Sequence, residues 1–411
     1  MGFSIWEGKK AQELLELLEA QNHLISHQNA AIDLLASDKR ASLVSDVMTV
    51  ATLCKNGNIL EVMDYGDQIA PAWREGENNY NPAFNLCHEG DAELEDGETI
   101  HGAFWEWDKV MPTGMPYDEP EAIYYFDGTE STGNYYITIG RNYGTGWVAG
   151  QNIQITLTET PAEGDQLYID CGQKEANNPT AGRNWYVYAK GDTTAKQSGT
   201  TSNGAAGTKL GETSSTSEHT TNGKVNAPSR VVYGYGRWSQ CALRQRLNSS
   251  ALAGHWWFPM NDWDRPPAQA ATLDGFLAGY AEDVIRHFKP IKVVTVTSNF
   301  DNNVEDITYD RVFLASLEQM YCVPQFAGKE GDYWEYYKRL LGRTSPAPTI
   351  QTYARLIKYA LNAPTSAQFC FRRSTNRTNA SYIWCGSTSG YVYASNSYNI
   401  LRCAPSVFLS E

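Results

Sequence analysis

At 411 residues the chain is long enough for two or three domains with cores of their own, because a single core stops growing near ~250–300 residues. A formal charge of −14 sets its surface against phosphate, which excludes a nucleic-acid partner and an anionic membrane face. Aromatic residues make up 12% of the chain, led by 25 Tyr and 12 Trp, against 19% charged residues, a balance that suits a β-rich protein making contacts through its surface.

The opening "MGFSIWEGKK" has no apolar core of signal-peptide length, and no run approaches ~18 apolar residues, so neither a leader nor membrane insertion is expected. The product is expected to be made in a cytoplasm and to stay there or leave as part of an assembly. Residues 9–37 contain no Pro or Gly and are rich in Leu, Glu, Gln and Ala, which predicts one helix. Ala11, Leu18, Ile25 and Ile32 fall at heptad position a, Leu14 and Leu35 at d, with Gln21 and Gln28 at the d positions between. Such a seam needs partners, and its polar members fix register and strand number. A parallel coiled coil, a trimer rather than a dimer, is the reading for residues 1–46; an amphipathic helix packed on its own chain stays open.

Residues 47–190 change texture to short β-type runs, "NILEVMDY", "AIYYFDG", "NYYITIG" and "NIQITLTET", separated by Gly, Asn, Asp and Pro. They predict a central β-domain. Within it "FNLCHEGDAELEDGETIHGAFWEWD" holds acids and two histidines, but His88 and His101 are thirteen apart with no supporting ligand motif, so an acidic solvated loop is expected, not a metal site. Residues 191–229 are rich in Gly, Ser, Thr and Asn with almost no large apolar side chain, the composition of a long loop or linker. From 230 to 411 "RVVYGYGRWSQCALRQRLNSS" reads as a strand followed by a short helix, and short helices, strands and long irregular segments continue to the end, as in a compact α+β domain.

The eight cysteines form no C-x-x-C pair and are expected to be mostly buried thiols, not a zinc framework. Nucleotide-binding, nucleophile-elbow, metalloprotease and EF-hand motifs are absent, and "GYGRWS" at 234–239 lacks the third Gly of a nucleotide loop. Asp262, Asp264, Asp332 and Glu335 could pair as glycosidase carboxylates, yet among 47 acids such pairs arise easily. "HWWFPMNDWDRPP" suits a folded loop core better than a carbohydrate platform, with His255 packed among the rings. No catalytic residue, cofactor or metal is expected.

The closing stretch, 371–403, reads "FRRSTNRTNASYIWCGSTSGYVYASNSYNILRC". Seventeen of its thirty-three residues are Asn, Ser, Thr or Tyr, and none is Lys, Asp, Glu, Gln or Met. Alternation in "GYVYASNSY" predicts a strand pair with Trp384 and Val392 inward and Tyr391 and Tyr393 outward, leaving a contiguous exposed polar face. Tyr supplies rigid amphipathic area and small polar residues supply adaptable hydrogen bonds, the composition of an antibody-like binding surface; an ordinary solvated β-edge fits equally.

Together with "VVYGYGRWSQCALRQRLNS", "WDRPP", "DGFLAGY", "YDRVFLASLEQMY" and "YWEYYKRL", the motif "RRSTNRTNASYIWCGSTSGYVYASNSYNILRCAPSVF" resembles the C-type-lectin-fold target proteins of diversity-generating retroelements, and the layout is similar to phage tropism determinants. The resemblance implies a fixed frame, here Arg373, Ser374, Asn376, Arg377, Trp384, Gly390, Val392, Arg402, Ala404 and Pro405. The variable, ligand-binding positions it implies are Thr378, Asn379, Ser381, Tyr382, Cys385, Ser387, Ser389, Tyr391, Tyr393, Ala394, Ser395, Asn396, Tyr398 and Asn399. Adenine-directed mutagenesis of Asn-type codons does not produce Lys, Glu, Gln or Met, in keeping with their absence here. The chain lacks a calcium-ligand motif such as Glu-Pro-Asn.

The fold class expected is therefore α+β and β-rich multidomain: an N-terminal coiled-coil helix, a central β-domain, and a C-terminal C-type-lectin-like domain over 230–411. The function expected is that of a phage or prophage receptor-binding adhesin, a homotrimer on the virion or alternatively on a bacterial surface. Its partners would be a host surface protein or glycan and, through the N-terminal region, other virion proteins. A virion structural or head-decoration protein and a glycan-degrading enzyme are the competing readings.

Overall fold

A computed structural model describes residues 46–142, 147–169, 182–212, 236–324, 328–349 and 351–411. The helix read at 9–37 with its trimeric seam, the strand read at 230–235 and Cys171 lie outside them. In chain order the elements begin with α1 (Val47–Lys55), α2 (Ile59–Val62), β1 (Gln68–Ile69), β2 (Trp73–Glu75), β3 (Asn78–Tyr80), β4 (Phe84–Glu93) and β5 (Thr99–Trp107). There follow β6 (Tyr124–Tyr125), β7 (Gly133–Asn142), β8 (Trp147–Leu157), β9 (Gln166–Ile169), β10 (Asn184–Tyr188), β11 (Ala195–Thr200), β12 (Ser202–Asn203) and β13 (Thr208–Glu212). The last part contains α3 (Ala242–Leu247), α4 (Glu282–Ile285), β14 (Ile291–Val296), β15 (Glu305–Asp310), β16 (Val312–Phe313) and α5 (Glu335–Leu341). It closes with β17 (Lys358–Ala360), β18 (Ala363–Gln368), β19 (Cys370–Thr375), β20 (Tyr382–Gly386), β21 (Val392–Asn396), β22 (Arg402–Cys403) and β23 (Ser406–Leu409).

The α+β expectation is overturned. The described residues are β-rich, with five short α-helices, 15% helix and many small sheets. A separate C-terminal lectin-like domain falls with it, because the main sheet runs β1-β4-β5-β23-β16 and draws strands from both ends of the chain. Every residue of β23 is buried, so "SVFL" is an inner strand covered on both faces, held against Trp105 and Phe104 of β5 on one side and Val312 of β16 on the other. The core beneath it includes Trp73, Trp105, Trp107, Trp238 and Phe408 and crosses the linker position read at 191–229.

Helix is scarce because tertiary partners claim segments of helical composition. "ARLIKYALN" makes one 3-10 turn and then β17, whose Lys358 reaches the buried Glu106, while Val110 donates to the Tyr359 carbonyl at 2.9 Å. "NILEVMDY", read as a strand, is instead the single turn α2. "LEDGE" is the turn of the β4–β5 hairpin, as the acidic loop reading has it locally, but its flanks are ten- and nine-residue strands.

The described residues between 122 and 212 fold as an insert. Two four-stranded sheets, β11-β10-β9-β6 and β12-β8-β7-β13, face each other across Phe126, Ile137, Ile153, Leu157, Leu167, Trp185 and Val187. The first half of the Gly/Ser/Thr-rich stretch is thus β11 to β13, not a loop. It holds as strand because the backbone ladder needs no apolar side chain: in β11 only Gln197 is buried, and its amide is spent on Thr158 N at 3.0 Å and Glu159 O at 2.8 Å. Gly199 leaves room for the Trp185 ring, which a Cβ would meet at 2.7 Å. The insert meets the main body at Trp263, whose carbonyl accepts from Ala122 N at 2.9 Å, and at Arg265, 4.0 Å from the centroid of Tyr188.

Candidate functional site

The closing stretch forms a four-stranded sheet, β21-β20-β19-β22, anchored through β19. All six residues of β19 are buried, and its adjacent arginines, within an irregular stretch of the strand, take separate sets of buried partners. Arg372 donates to Glu106 at 2.6 Å; Lys358 donates to the other Glu106 oxygen at 2.9 Å, and the Tyr337 hydroxyl donates to that same oxygen. Burial alone would raise the Glu106 pKa, but the two cations outweigh it and hold the carboxyl below its ordinary value. Arg373 donates to Leu314 O at 2.7 Å, to Gln319 and to the Glu330 carbonyl. Ser374 donates to the Glu330 carboxylate, which also accepts from Val296 N at 3.1 Å. The frame residues Arg373 and Ser374 therefore bolt the sheet to β14, β16 and the 330 turn.

β20 and β21 are an antiparallel pair with Tyr382 opposite Asn396, Trp384 opposite Ala394 and Cys385 opposite Tyr393. Trp384 and Val392 are buried as expected, whereas Tyr391 and Tyr393 are half-buried. The expected contiguous polar face is corrected: Ile383, Trp384 and Cys385 are consecutive and all buried, so both faces of β20 are covered and alternation yields no wet side.

Of the fourteen candidate positions, Thr378, Ser389 and Tyr398 are exposed, and Tyr382, Tyr391, Tyr393, Ala394, Asn396 and Asn399 are half-buried. Asn379, Ser381, Cys385, Ser387 and Ser395 are buried. Several of the buried set build the turns. Asn379 Oδ1 accepts from Ser381 N at 3.1 Å, Ser387 Oγ accepts from Tyr391 N at 3.1 Å, and Ser395 Oγ accepts from Asn399 Nδ2 at 2.9 Å. Cys385 is enclosed, and burial pushes its thiol up to about 12.

The chain reverses at the 376–381 and 387–391 turns, which lie at opposite ends of the sheet; the 397–401 segment starts beside the first of them and crosses back to β22, which runs parallel to β19. The first end gathers Thr378, Tyr382, Asn396, Tyr398 and Asn399, and the backbone joins its two turns through Ser397 N to Ser381 O at 2.8 Å. Ile400, 66% exposed, lies beside them; the sequence reading passed over it, although an Ile inside an Asn/Tyr turn was the available signal. At mid-strand Tyr393 packs between Tyr391 and Phe369, with centroids at 5.5 and 5.8 Å. Gly390 closes the second turn at φ +86°, and a Cβ there would sit 2.3 Å from Tyr353 O. Gly390→Ala is expected to cost about 2–3 kcal/mol in urea unfolding, from left-handed strain plus this clash; a loss under about 0.5 kcal/mol would show that the turn relaxes freely.

The remaining candidates scatter. Asp262 pairs with Lys190 of the insert, Asp264 accepts from Asn261 N at 3.0 Å inside its own loop, and Glu335 opens α5 with Lys338 at 3.1 Å. His255 is exposed, not packed as expected, while Trp256 is buried with Nε1 on Leu273 O at 2.6 Å. His101 bonds Asp91 at 2.7 Å, and Asp91 and His88 line one cleft. The seven described cysteines besides Cys171 are buried thiols. No helix among the described residues is long and apolar enough to cross a membrane. Comparison with family models, curated proteins and solved structures finds no match.

Proposed function

We propose that the protein is a phage or prophage receptor-binding adhesin whose closing sheet presents a retroelement-diversified surface to a host protein or glycan. The observation that carries the reading is a division of labour within one stretch. Arg372, Arg373 and Ser374 make the buried bonds that fix the sheet, while the nine candidate positions that reach solvent carry no charge and lie on the turns and along β20 and β21. Uncharged Tyr, Asn, Ser and Thr on a rigid support can gain contact area with little ordering cost, as binding loops do. Assembly into a trimer through the N-terminal region would add avidity to weak single sites, by ~10²–10⁴ where geometry permits. The role is binding, and the virion is the proposed location.

Sequencing the encoding locus across a population tests this. Substitutions are expected at adenine positions of the codons for the surface-reaching set, beside a template repeat and a reverse-transcriptase gene. Invariance of those codons in a variable population would favour a virion structural role without a dedicated ligand site.

A further inference from the structure

Between β4, the β14–β15 hairpin and the turn at 330–334 lies an open cleft of about 210 Å³. None of the fourteen closing-stretch positions lines it, so a ligand held there would be independent of that surface. Its volume falls below the ~300–1,000 Å³ of pockets that enclose drug-sized ligands, which limits an occupant to a small head group.

The floor is aromatic. Phe104, left half-buried in a strand of the main sheet, lies 6.2 Å from the part-exposed His88 ring, and it is backed by the buried rings of Trp334 at 5.8 Å and Phe313 at 6.3 Å between centroids. His88 Nδ1 is buried without a partner, and burial lowers the ring's pKa, so at neutral pH it contributes another uncharged ring. The rim is acidic. Asp91 is engaged by His101 at 2.7 Å and Glu93 by Lys292 at 2.9 Å, whereas Asp332 is exposed and has no hydrogen-bond or ion-pair partner among the described residues. The guanidinium in the wall, Arg373, has its donors spent on Leu314 O, Gln319 Oε1 and Glu330 O, close to the Glu330 carboxylate. Aromatic faces attract a cation through their quadrupole, and a nearby carboxylate adds to that attraction.

We propose that this cleft binds the ammonium head of a small organic cation, seated against the part-exposed rings of Phe104 and His88 with the Asp332 carboxylate at its edge. A quaternary head, as in choline, and a primary one, as in a lysine side chain, share that chemistry. Ligand-observed NMR and calorimetry on the full chain would compare choline, butylammonium and the neutral choline isostere 3,3-dimethylbutan-1-ol.

Saturable binding of at least one ammonium is expected, with Kd on the order of 1 mM, since so small a contact leaves little free energy after the cost of association. The neutral isostere should bind at least about fivefold more weakly. Choline ahead of butylammonium identifies a quaternary head as the natural occupant, and the reverse order a primary amine; either supports the proposal. Asp332→Asn, at an exposed site that leaves the melting temperature unchanged, should weaken binding about three- to fivefold. Phe104→Leu should do so by about fivefold; if that variant does not fold, Asp332→Asn decides alone. No saturable binding of either ammonium, equal binding of the isostere, or unchanged affinity in Asp332→Asn overturns the proposal.

Discussion

Glu106→Gln is expected to destabilise the protein by about 3–5 kcal/mol, because it strands two buried cations, Arg372 and Lys358, that share one carboxylate. The glutamine keeps one acceptor oxygen, turns the other into an NH2 donor and offers no charge, and neither cation can reach water: Arg372 is 0% exposed and Lys358 7%. The site depends on this directly, since Glu106 belongs to β5 of the main sheet and Arg372 to β19 of the closing sheet. In the variant, hydrogen exchange should accelerate first in β19 and β20.

The pH dependence has a fixed sign. The folded-state pKa of Glu106 lies below its ordinary 4.5, so its contribution is full above that value and is lost as pH falls through the folded pKa. The stability gap between parent and Glu106→Gln should be constant at neutral pH and narrow below about 4.5. A gap below about 1 kcal/mol at pH 7, or one that widens in acid, would show that the cluster rearranges around other partners.

How much of this could be read from residues alone depends on how local each signal is. "NYYITIG" and "NIQITLTET" show their period within a few residues, and they became the β7–β8 pair. "CALRQRLN" likewise declared a short helix, realised as α3. The main sheet was not legible, because nothing near "APSVFLSE" says that it lies beside "GAFWEW" some three hundred residues earlier. Nor did composition reveal that polar Ala195–Thr200 would be a strand, since its stability comes from the ladder to β10 and the room Gly199 gives Trp185. In the closing stretch the Tyr/Ser/Asn bias was visible, but its partition was not: whether a Ser faces solvent or caps a turn is decided by which segments cover β20.

That partition yields the sharpest contrast among substitutions. Exchanging Tyr382, Tyr398 and Asn399 together for alanine should cost about 1–2 kcal/mol in all, because the two tyrosines reach solvent at one end of the sheet and Asn399 gives up its one bond to Ser395 Oγ. Under the proposed adhesin role, the same triple variant should lose at least about 30-fold in binding to host cells, since central tyrosines of an interface carry about 2 kcal/mol or more each. Cys385→Tyr and Ser387→Tyr should behave in the opposite way. Cys385 is fully buried, and Ser387 Oγ accepts from Ser389 N at 3.3 Å and Tyr391 N at 3.1 Å, so a ring at either position overpacks the sheet or orphans its turn, at a cost of about 3 kcal/mol. Parallel urea titrations and cell-binding assays on the three variants separate the two classes. A triple variant that unfolds would make the surface tyrosines part of the core, and one that folds and binds like the parent would remove the closing sheet as the recognition surface. If both buried variants fold like the parent, the sheet can open to admit larger side chains at Cys385 and Ser387, and the proposed binding surface is wider than its ground-state exposure.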